Sequence, residues 1–375
     1  MSTLRVRRWT SEEFFANRAQ WQELLARSDA DPLFLCWDWS SAWWRHHDNA
    51  LNAQLCVLGI YDGESLCGIA PFYLHRAAHR RIFAARRLEL LGNTWRDSRA
   101  IFSEYLDLIA ARSARAEVCA AISDWLRGSR EWDELLLCNL RPGSIAAQLA
   151  GSLGDEAYVR SVDSLTGWSV ALPASFESFT AQLSSNSRRK IVHQREKLDG
   201  LTFESTPVAQ RPAVLARLET FVSRRFRAPA GQESDLRARF HADLIEHGAY
   251  GDNVRLTELR AGGACISVML NLRVGGTEYY LQSGFDDAHA RGVSPGLLHL
   301  GFAIEAACRD GIGRFDFLAG PGLNRDYKQD FAAQGEVLHC LHVVRKPSLR
   351  MLFRIFDRAR TRRASQDRAD VAQIP

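Results

Sequence analysis

Two aspartates and a short Arg/Ser/Gly loop are the groups in this 375-residue chain best spaced to do chemistry together. Arg291, Ser294 and Gly296 stand immediately before an apolar run containing Leu297, Leu298, Phe302, Ile304, Ala306 and Ala307, which Gly311 closes. Pro295 suits the first turn of a helix, where the missing N–H is not needed, and Ser294 can cap it. A helix start presents unpaired N–H groups and partial positive charge. The loop therefore reads either as a pyrophosphate cradle or as an ordinary Ser-Pro-Gly helix start. Thr277–Ser283 upstream is rich in aromatic and β-branched residues and reads as a strand, and Phe315–Leu318 downstream reads as another. The predicted unit is strand, loop, helix, strand. Asp286 follows the first strand and Asp316 lies on the second, so both can reach one cleft as a base or an orienting carboxylate. The same positions also suit a turn residue (Asp286) and an edge-strand residue paired to an arginine (Asp316).

A resemblance follows from these residues. The succession Tyr279-Tyr-Leu-Gln-Ser-Gly-Phe-Asp286, Ser294-Pro-Gly-Leu-Leu298, Phe315-Asp-Phe-Leu-Ala-Gly320 and Tyr327-Lys328 resembles the BioF2-like acyltransferases of the GNAT type. That group includes the CelD cellulose-biosynthesis proteins, and its nearest structural relatives are the Fem-type aminoacyl transferases of cell-wall synthesis. The ordinary GNAT phosphate loop is Gln/Arg-x-x-Gly-x-Gly/Ala. Here it is Arg291-Gly-Val-Ser294-Pro-Gly296, with Ser294 in place of the first glycine, a form common in the BioF2-like group. The likeness is clearest from about residue 160 to 345.

The resemblance implies an α/β fold with a mixed α+β sheet, built as two tandem GNAT-like halves. It implies acyl-CoA as co-substrate, held by Gln282, Ser283, Arg291, Gly292, Ser294, Gly296 and Leu297, with no metal. The thioester carbonyl would lie against the strand edge Tyr279–Ser283, where backbone N–H groups polarise it. The pantetheine arm would pass between that edge and Arg314–Leu318. An acceptor amine with a pKa of about 10.4 needs a base or a water chain at neutral pH. Asp286 and Asp316 are the candidates, Tyr280 and Tyr327 are candidate acids for the leaving thiolate, and Lys328 is a candidate anion clamp.

Composition bounds the alternatives. At 375 residues the chain exceeds one typical core, so two units are expected. No stretch approaches the roughly 18–20 apolar residues needed to span a bilayer. The basic N-terminus is followed by no apolar segment, which argues against a secretory signal. Eight cysteines are scattered without a C-x-x-C pair, as expected in a reducing cytoplasm. The eleven histidines show no metal spacing, and neither a G-x-S-x-G elbow nor a Walker loop occurs. Residues 345–375 carry nine Arg/Lys and three Asp, a local +6 within a net +4, leaving residues 1–344 at −2. A near-neutral body argues against nucleic acid as partner. The acceptor expected is a small molecule or glycan precursor.

Taken in order, Trp9–Ala26 reads as an amphipathic helix opened by a Thr10/Glu13 capping box. The aromatic cluster Phe34, Trp37, Trp39, Trp43 and Trp44 suits either core or a stacking groove. Gln54–Ile60 and Leu66–His75 flank an Asp-Gly hairpin turn. Leu88–Leu91, Glu104–Ala110 and Glu134–Leu140 read as strands, with a helix at Glu117–Arg127. Val254–Arg260, Ala264–Arg273 and the signature unit repeat this plan. The halves predicted are 1–165, which shapes the acceptor side, and 166–345, which holds acyl-CoA. A basic amphipathic tail follows at 346–375, fit to dock on the body or to touch an anionic membrane face. Between the halves, Ser184–Ser187 supply cap chemistry to Arg188, Arg189 and Lys190. Cations in a first helical turn oppose its dipole, so the segment either awaits an anion or is a solvated basic face. Arg224, Arg225 and Arg227 form a second cluster, on a helix read as Ala213–Phe226. Three functions are consistent with the chain: an acyl-CoA-dependent transferase, a Fem-like aminoacyl-tRNA-dependent transferase, and a non-catalytic accessory protein of polysaccharide synthesis.

Overall fold

The computed structural model describes residues 4–79, 83–94, 101–226, 232–248, 250–286, 292–319 and 326–371. Among these, thirteen strands form: β1 (Arg5–Arg8), β2 (Gln54–Asp62), β3 (Ser65–His79), β4 (Phe83–Leu90), β5 (Ile109–Ala110), β6 (Glu134–Leu140), β7 (Tyr158–Ala171), β8 (Thr202–Ser205), β9 (Val254–Ala261), β10 (Ala264–Val274), β11 (Thr277–Phe285), β12 (Arg314–Leu318) and β13 (Gln334–Val344). One mixed sheet runs β1-β2-β3-β4-β6-β13-β7-β12-β11-β10-β9-β8, with β5 on β3. The α/β class expected from sequence is the one found.

The halves repeat one plan. Four successive strands pair antiparallel, β1 to β4 and β8 to β11. A helix then crosses back, and a fifth strand lies parallel to the fourth: β6 on β4, and β12 on β11. The last strands are exchanged. β7 leaves the first half to pair with β12, while β13 leaves the second to pair with β6, and the two pair with each other along their length. The 165/166 division drawn from sequence thus falls inside β7, because strand pairing, which composition does not record, carries this segment across.

Local chemistry explains most elements. Thr10 and Glu13 form the capping box, opening Ser11–Ala16. Asn17 then breaks the expected single helix, and a second runs Arg18–Ala26. The aromatic cluster is mainly core: Phe34, Trp39 and Trp43 are buried, and the Trp39 and Trp43 indole N–H groups donate to the Ser103 hydroxyl and the Ile101 carbonyl. The expected strand Glu104–Ala110 reduces to β5. Tyr105 adopts φ +54°, and Glu104 and Tyr105 turn inward to bond the second half. In the tail, the helix Pro347–Val371 docks on the body. Leu349 is buried against Ala85 and Val344, and Arg160 grips Asp357 at 2.6 and 2.7 Å. Met351 and Ile355 stay exposed on its outer side. No helix among the described residues is long and apolar enough to cross a membrane.

Candidate active site

The site is built where two parallel strands part. Among the described residues β11 and β12 pair at Thr277↔Arg314, Glu278↔Phe315 and Tyr279↔Asp316, and β11 runs on to Phe285. Two irregularities flank this wedge. On β11, Leu281 is an extra residue against β10, because the register steps from Tyr280↔Asn271 to Gln282↔Leu270. Such a bulge re-aims neighbouring main-chain groups. On β12, pairing with β7 slips between Asp316 and Leu318, and Leu318 takes φ +58°. The strand end is then tied away from β11. The Ala319 N–H donates to Glu104 Oε2 at 2.6 Å, and the Lys328 ammonium donates to the carbonyls of Leu318 and Ala319, the latter at 2.8 Å. Lys328 is buried. Its charge, read from sequence as an anion clamp, is turned onto backbone oxygen instead.

The matching wedge of the first half is filled. β4 and β6 pair over three positions, Arg87↔Glu134 to Glu89↔Leu136. Beyond them, the Ser103 N–H donates to the Gly92 carbonyl at 3.1 Å and Asn139 Nδ2 donates to the Ser103 carbonyl at 2.7 Å. A Cβ on Gly92 would lie 2.8 Å from Ser103 Oγ, so residues 101–108 occupy this space tightly.

Beside the second-half wedge, Tyr280, Leu297 and Tyr327 come together around one apolar cluster that includes Met269, Leu300, Ala303 and Phe317. The Tyr280 and Ser283 hydroxyls share a hydrogen bond. Gln282 and Ser283 are half-buried on the same strand. The helix Pro295–Arg309 begins where expected, but the Ser294 hydroxyl makes no cap bond. Gly296 has a packing reason to be glycine, since a Cβ there would meet the Phe285 ring at 2.8 Å. Gly292 sits at φ +81°, and Gln194 Nε2 donates to its carbonyl at 3.3 Å. Arg291 lies outside the described residues, as does Arg227 of the second arginine cluster.

The basic segment lies along this helix: a Cβ on Gly301 would be 2.5 Å from Ile191 Cγ2. Ser184 caps Ser185–Ile191 through the Ser187 N–H, as read from sequence. Its cations, however, are favourably placed. The helix ends at Ile191, so Arg188, Arg189 and Lys190 occupy its last turn, where cations favour the dipole. Arg188 donates to the Leu183 carbonyl at 2.8 Å, Arg189 to Asn186 Oδ1 at 2.9 Å, and Lys190 to Asp330 at 2.9 Å.

The two aspartates are not brought together. Asp316 is level with Tyr279, and Asp286 lies seven residues further along, roughly 20 Å at strand rise. Asp286 is half-buried, and its N–H donates to the Ile266 carbonyl at 2.9 Å. Asp316 is buried on an interior strand, not an edge. Its Oδ1 accepts from the Tyr105 hydroxyl and the Leu318 N–H, each at 2.9 Å, and its Oδ2 faces Arg314 at 3.2 Å. Burial pushes its pKa up, opposed chiefly by Arg314. Nearby, Asp31 accepts from the Tyr279 hydroxyl at 3.1 Å and lies 3.7 Å from Arg141, which stacks on the Tyr105 ring at 3.9 Å. Burial raises Asp31 to about 6. Sequence reasoning missed Asp31, Glu104, Tyr105 and Arg141, all first-half residues. One signal existed: Gly167 inside a strand marks a close approach, and a Cβ there would sit 2.7 Å from the Tyr105 hydroxyl. Among the described residues, no group of three or more His, Cys, Asp or Glu side chains is arranged to hold a metal.

Residues 185–329 match the family model of the acetyltransferase (GNAT) domain. No curated protein sequence matches significantly. Among solved structures, the chain is similar to FemX at 10% identity, covering 93% of this chain and 99% of that one with a TM-score of 0.59. It is also similar to the C-terminal domain of a putative lysylphosphatidylglycerol synthetase from Agrobacterium fabrum, at 10% identity, 91% and 96% coverage and a TM-score of 0.52. A third likeness is to L-PGS from Bacillus licheniformis, at 11% identity, 92% and 96% coverage and a TM-score of 0.50. The wedge between β11 and β12 and the helix start at Pro295 fall within the segment that matches the acetyltransferase (GNAT) domain model, and the fold is similar to that of FemX.

Proposed function

We propose that the protein transfers an acyl group, other than an aminoacyl group, from acyl-CoA to an amine or hydroxyl of a cell-envelope or exopolysaccharide precursor or an amino-sugar-like metabolite. The observation that carries this reading is the wedge between β11 and β12, with a bulge at Leu281 on one side and a tethered strand end on the other. Beyond Tyr279 and Asp316, β11 has no pairing with β12 among the described residues. In this reading main-chain amides on that stretch of β11 polarise a thioester carbonyl, and fixed amides stabilise an oxyanion without reorganising.

In this reading the acyl thioester enters the wedge, with the pantetheine arm beside Leu297. Tyr280, hydrogen-bonded to Ser283, protonates the departing thiolate, and Tyr327, packed against the same apolar cluster, is the second candidate acid. Gly292, Ser294 and Gly296, with Arg291, receive the diphosphate. Exposed Arg189 offers a further cation on the flanking segment. Asp286 at the mouth orients the acceptor, and Asp316 holds the base of the wedge to the first half through Tyr105. The first half, residues 1–165, shapes the acceptor side. The tail, residues 346–375, shows Met351 and Ile355 beside arginines, which suits peripheral contact with an anionic inner membrane face.

Titration with acetyl-CoA and longer acyl-CoAs tests the proposal; no heat of binding with any of them at millimolar concentration would sink it. The likeness to FemX supports a second reading, in which the donor is an aminoacyl-tRNA. Transfer from charged tRNA with no binding of acyl-CoA would favour that alternative. A protein that binds neither donor would be the accessory component.

A further inference from the structure

A second hollow lies on the other face of the sheet. Along β9, Leu259 packs with Leu298 of the Pro295–Arg309 helix, so its neighbours Glu258 and Arg260 point to the opposite face, following the two-residue period of a strand. There the helix Arg211–Phe226 crosses the sheet. It presents Arg217, Thr220 and Arg224 at three- and four-residue spacing, one helical face. Together with Phe221 and the cross-strand pair Arg260↔Cys265, these residues line a cavity of about 490 Å³. That is within the roughly 300–1,000 Å³ of small-molecule sites.

The charges in this cavity do not cancel. Buried Glu258 accepts from Arg217 through one oxygen and from Arg260 through the other at 3.3 Å. Arg260 also donates to the Gly263 carbonyl at 2.7 Å. One carboxylate thus aligns two guanidinium groups side by side. Arg224 is exposed and has no carboxylate partner among the described residues. Three arginines against Glu258 and its cross-strand neighbour Glu204, whose charge reaches Cys265, leave one positive charge around a hollow that has an apolar wall in Ala216 and Phe221. Guanidinium forks match carboxylate and phosphate oxygens two at a time.

The hollow is tied to the wedge by its helix. Gly284 of β11 lies directly under that helix, where a Cβ would be 2.7 Å from Phe221 Cβ and 2.9 Å from the Leu218 carbonyl oxygen. Two to three strand spacings, about 10–15 Å, separate the β9–β10 floor from the β11–β12 opening. That distance is the length of a small multi-group ligand.

We propose that this hollow binds the carboxylate or phosphate of an anionic ligand, and that the ligand is the acceptor, held on the sheet face opposite the acyl-CoA helix. The assignment to the acceptor rests on the transferase reading; the anion site itself does not. Titration of the full chain with pyrophosphate and with malonate reads the site directly and distinguishes the two anion classes. Wild type should bind at least one of them, and Arg224→Ala, which removes an exposed side chain, should weaken that binding about tenfold. Arg260→Lys, which keeps the charge and loses the fork, should weaken it too. Saturation with acetyl-CoA should leave anion affinity unchanged. No binding of either probe, equal binding by the variants, or one-for-one competition by acetyl-CoA would each overturn the site. If the anion binds but acyl-CoA does not, the site stands and the transferase reading fails.

Discussion

Lys328→Met separates two roles for a buried cation. The ammonium donates to the Leu318 and Ala319 carbonyls, where β12 turns away from β11. Methionine fills similar space without branching, so the change removes the donors and leaves two carbonyls unsatisfied. Each lost charge-assisted bond is worth about 1.5–3 kcal/mol. Part of that is returned because a buried ammonium no longer has to be desolvated. The net expectation is a loss of about 2–4 kcal/mol, large for a single substitution. Urea unfolding followed by tryptophan fluorescence should show a lower midpoint at unchanged slope. Acyl-CoA affinity should fall less than stability, because the cation faces backbone and not ligand. An unfolding free energy within about 0.5 kcal/mol of wild type, together with abolished acyl-CoA binding, would refute this and restore the anion clamp.

Two further expectations concern the junction of the halves. Asp31 is raised from its ordinary 3.8 to about 6 by burial, so the folded state holds a proton that the unfolded chain has released. Its stabilising contribution is complete below pH 4 and is lost as pH rises to about 6. Asp31→Asn should flatten that part of the stability–pH curve, and an unchanged slope between pH 4 and 6 would count against the assignment. The exchange of β7 and β13 means that neither half can complete its sheet alone. Residues 1–172 and 173–375 expressed separately should lack dispersed NMR spectra and regain them on mixing; a well-dispersed spectrum from either alone would show that the exchange is dispensable.

Much of the local structure was legible in the sequence because short-range rules fix it. The capping box at Thr10, the strand Glu134–Leu140, the hairpin around Gly63 and the helix start at Pro295 each follow from residues within a few positions of one another. The segment that resembles acetyltransferase domains is equally local. What escaped was set by contacts across the chain. Asp286 and Asp316 looked like partners because both end up near strands of one crossover, yet register places them far apart. Lys328 looked available because its sequence neighbours do not reveal Leu318 and Ala319. Arg188 to Lys190 looked misplaced until the helix proved to end after Ile191.

The amino-acid sequence by itself determined many of the helices and strands and the helix start at Pro295, since propensity, capping and hydrophobic period act over a few residues. Tertiary structure alone decided that the first of two similar wedges is filled by residues 101–108. Glu104 and Lys328 hold the strand end of the second aside, across 215 and 9 residues of chain respectively. Such choices depend on which backbone groups find partners once the sheet has closed, and no local pattern encodes that.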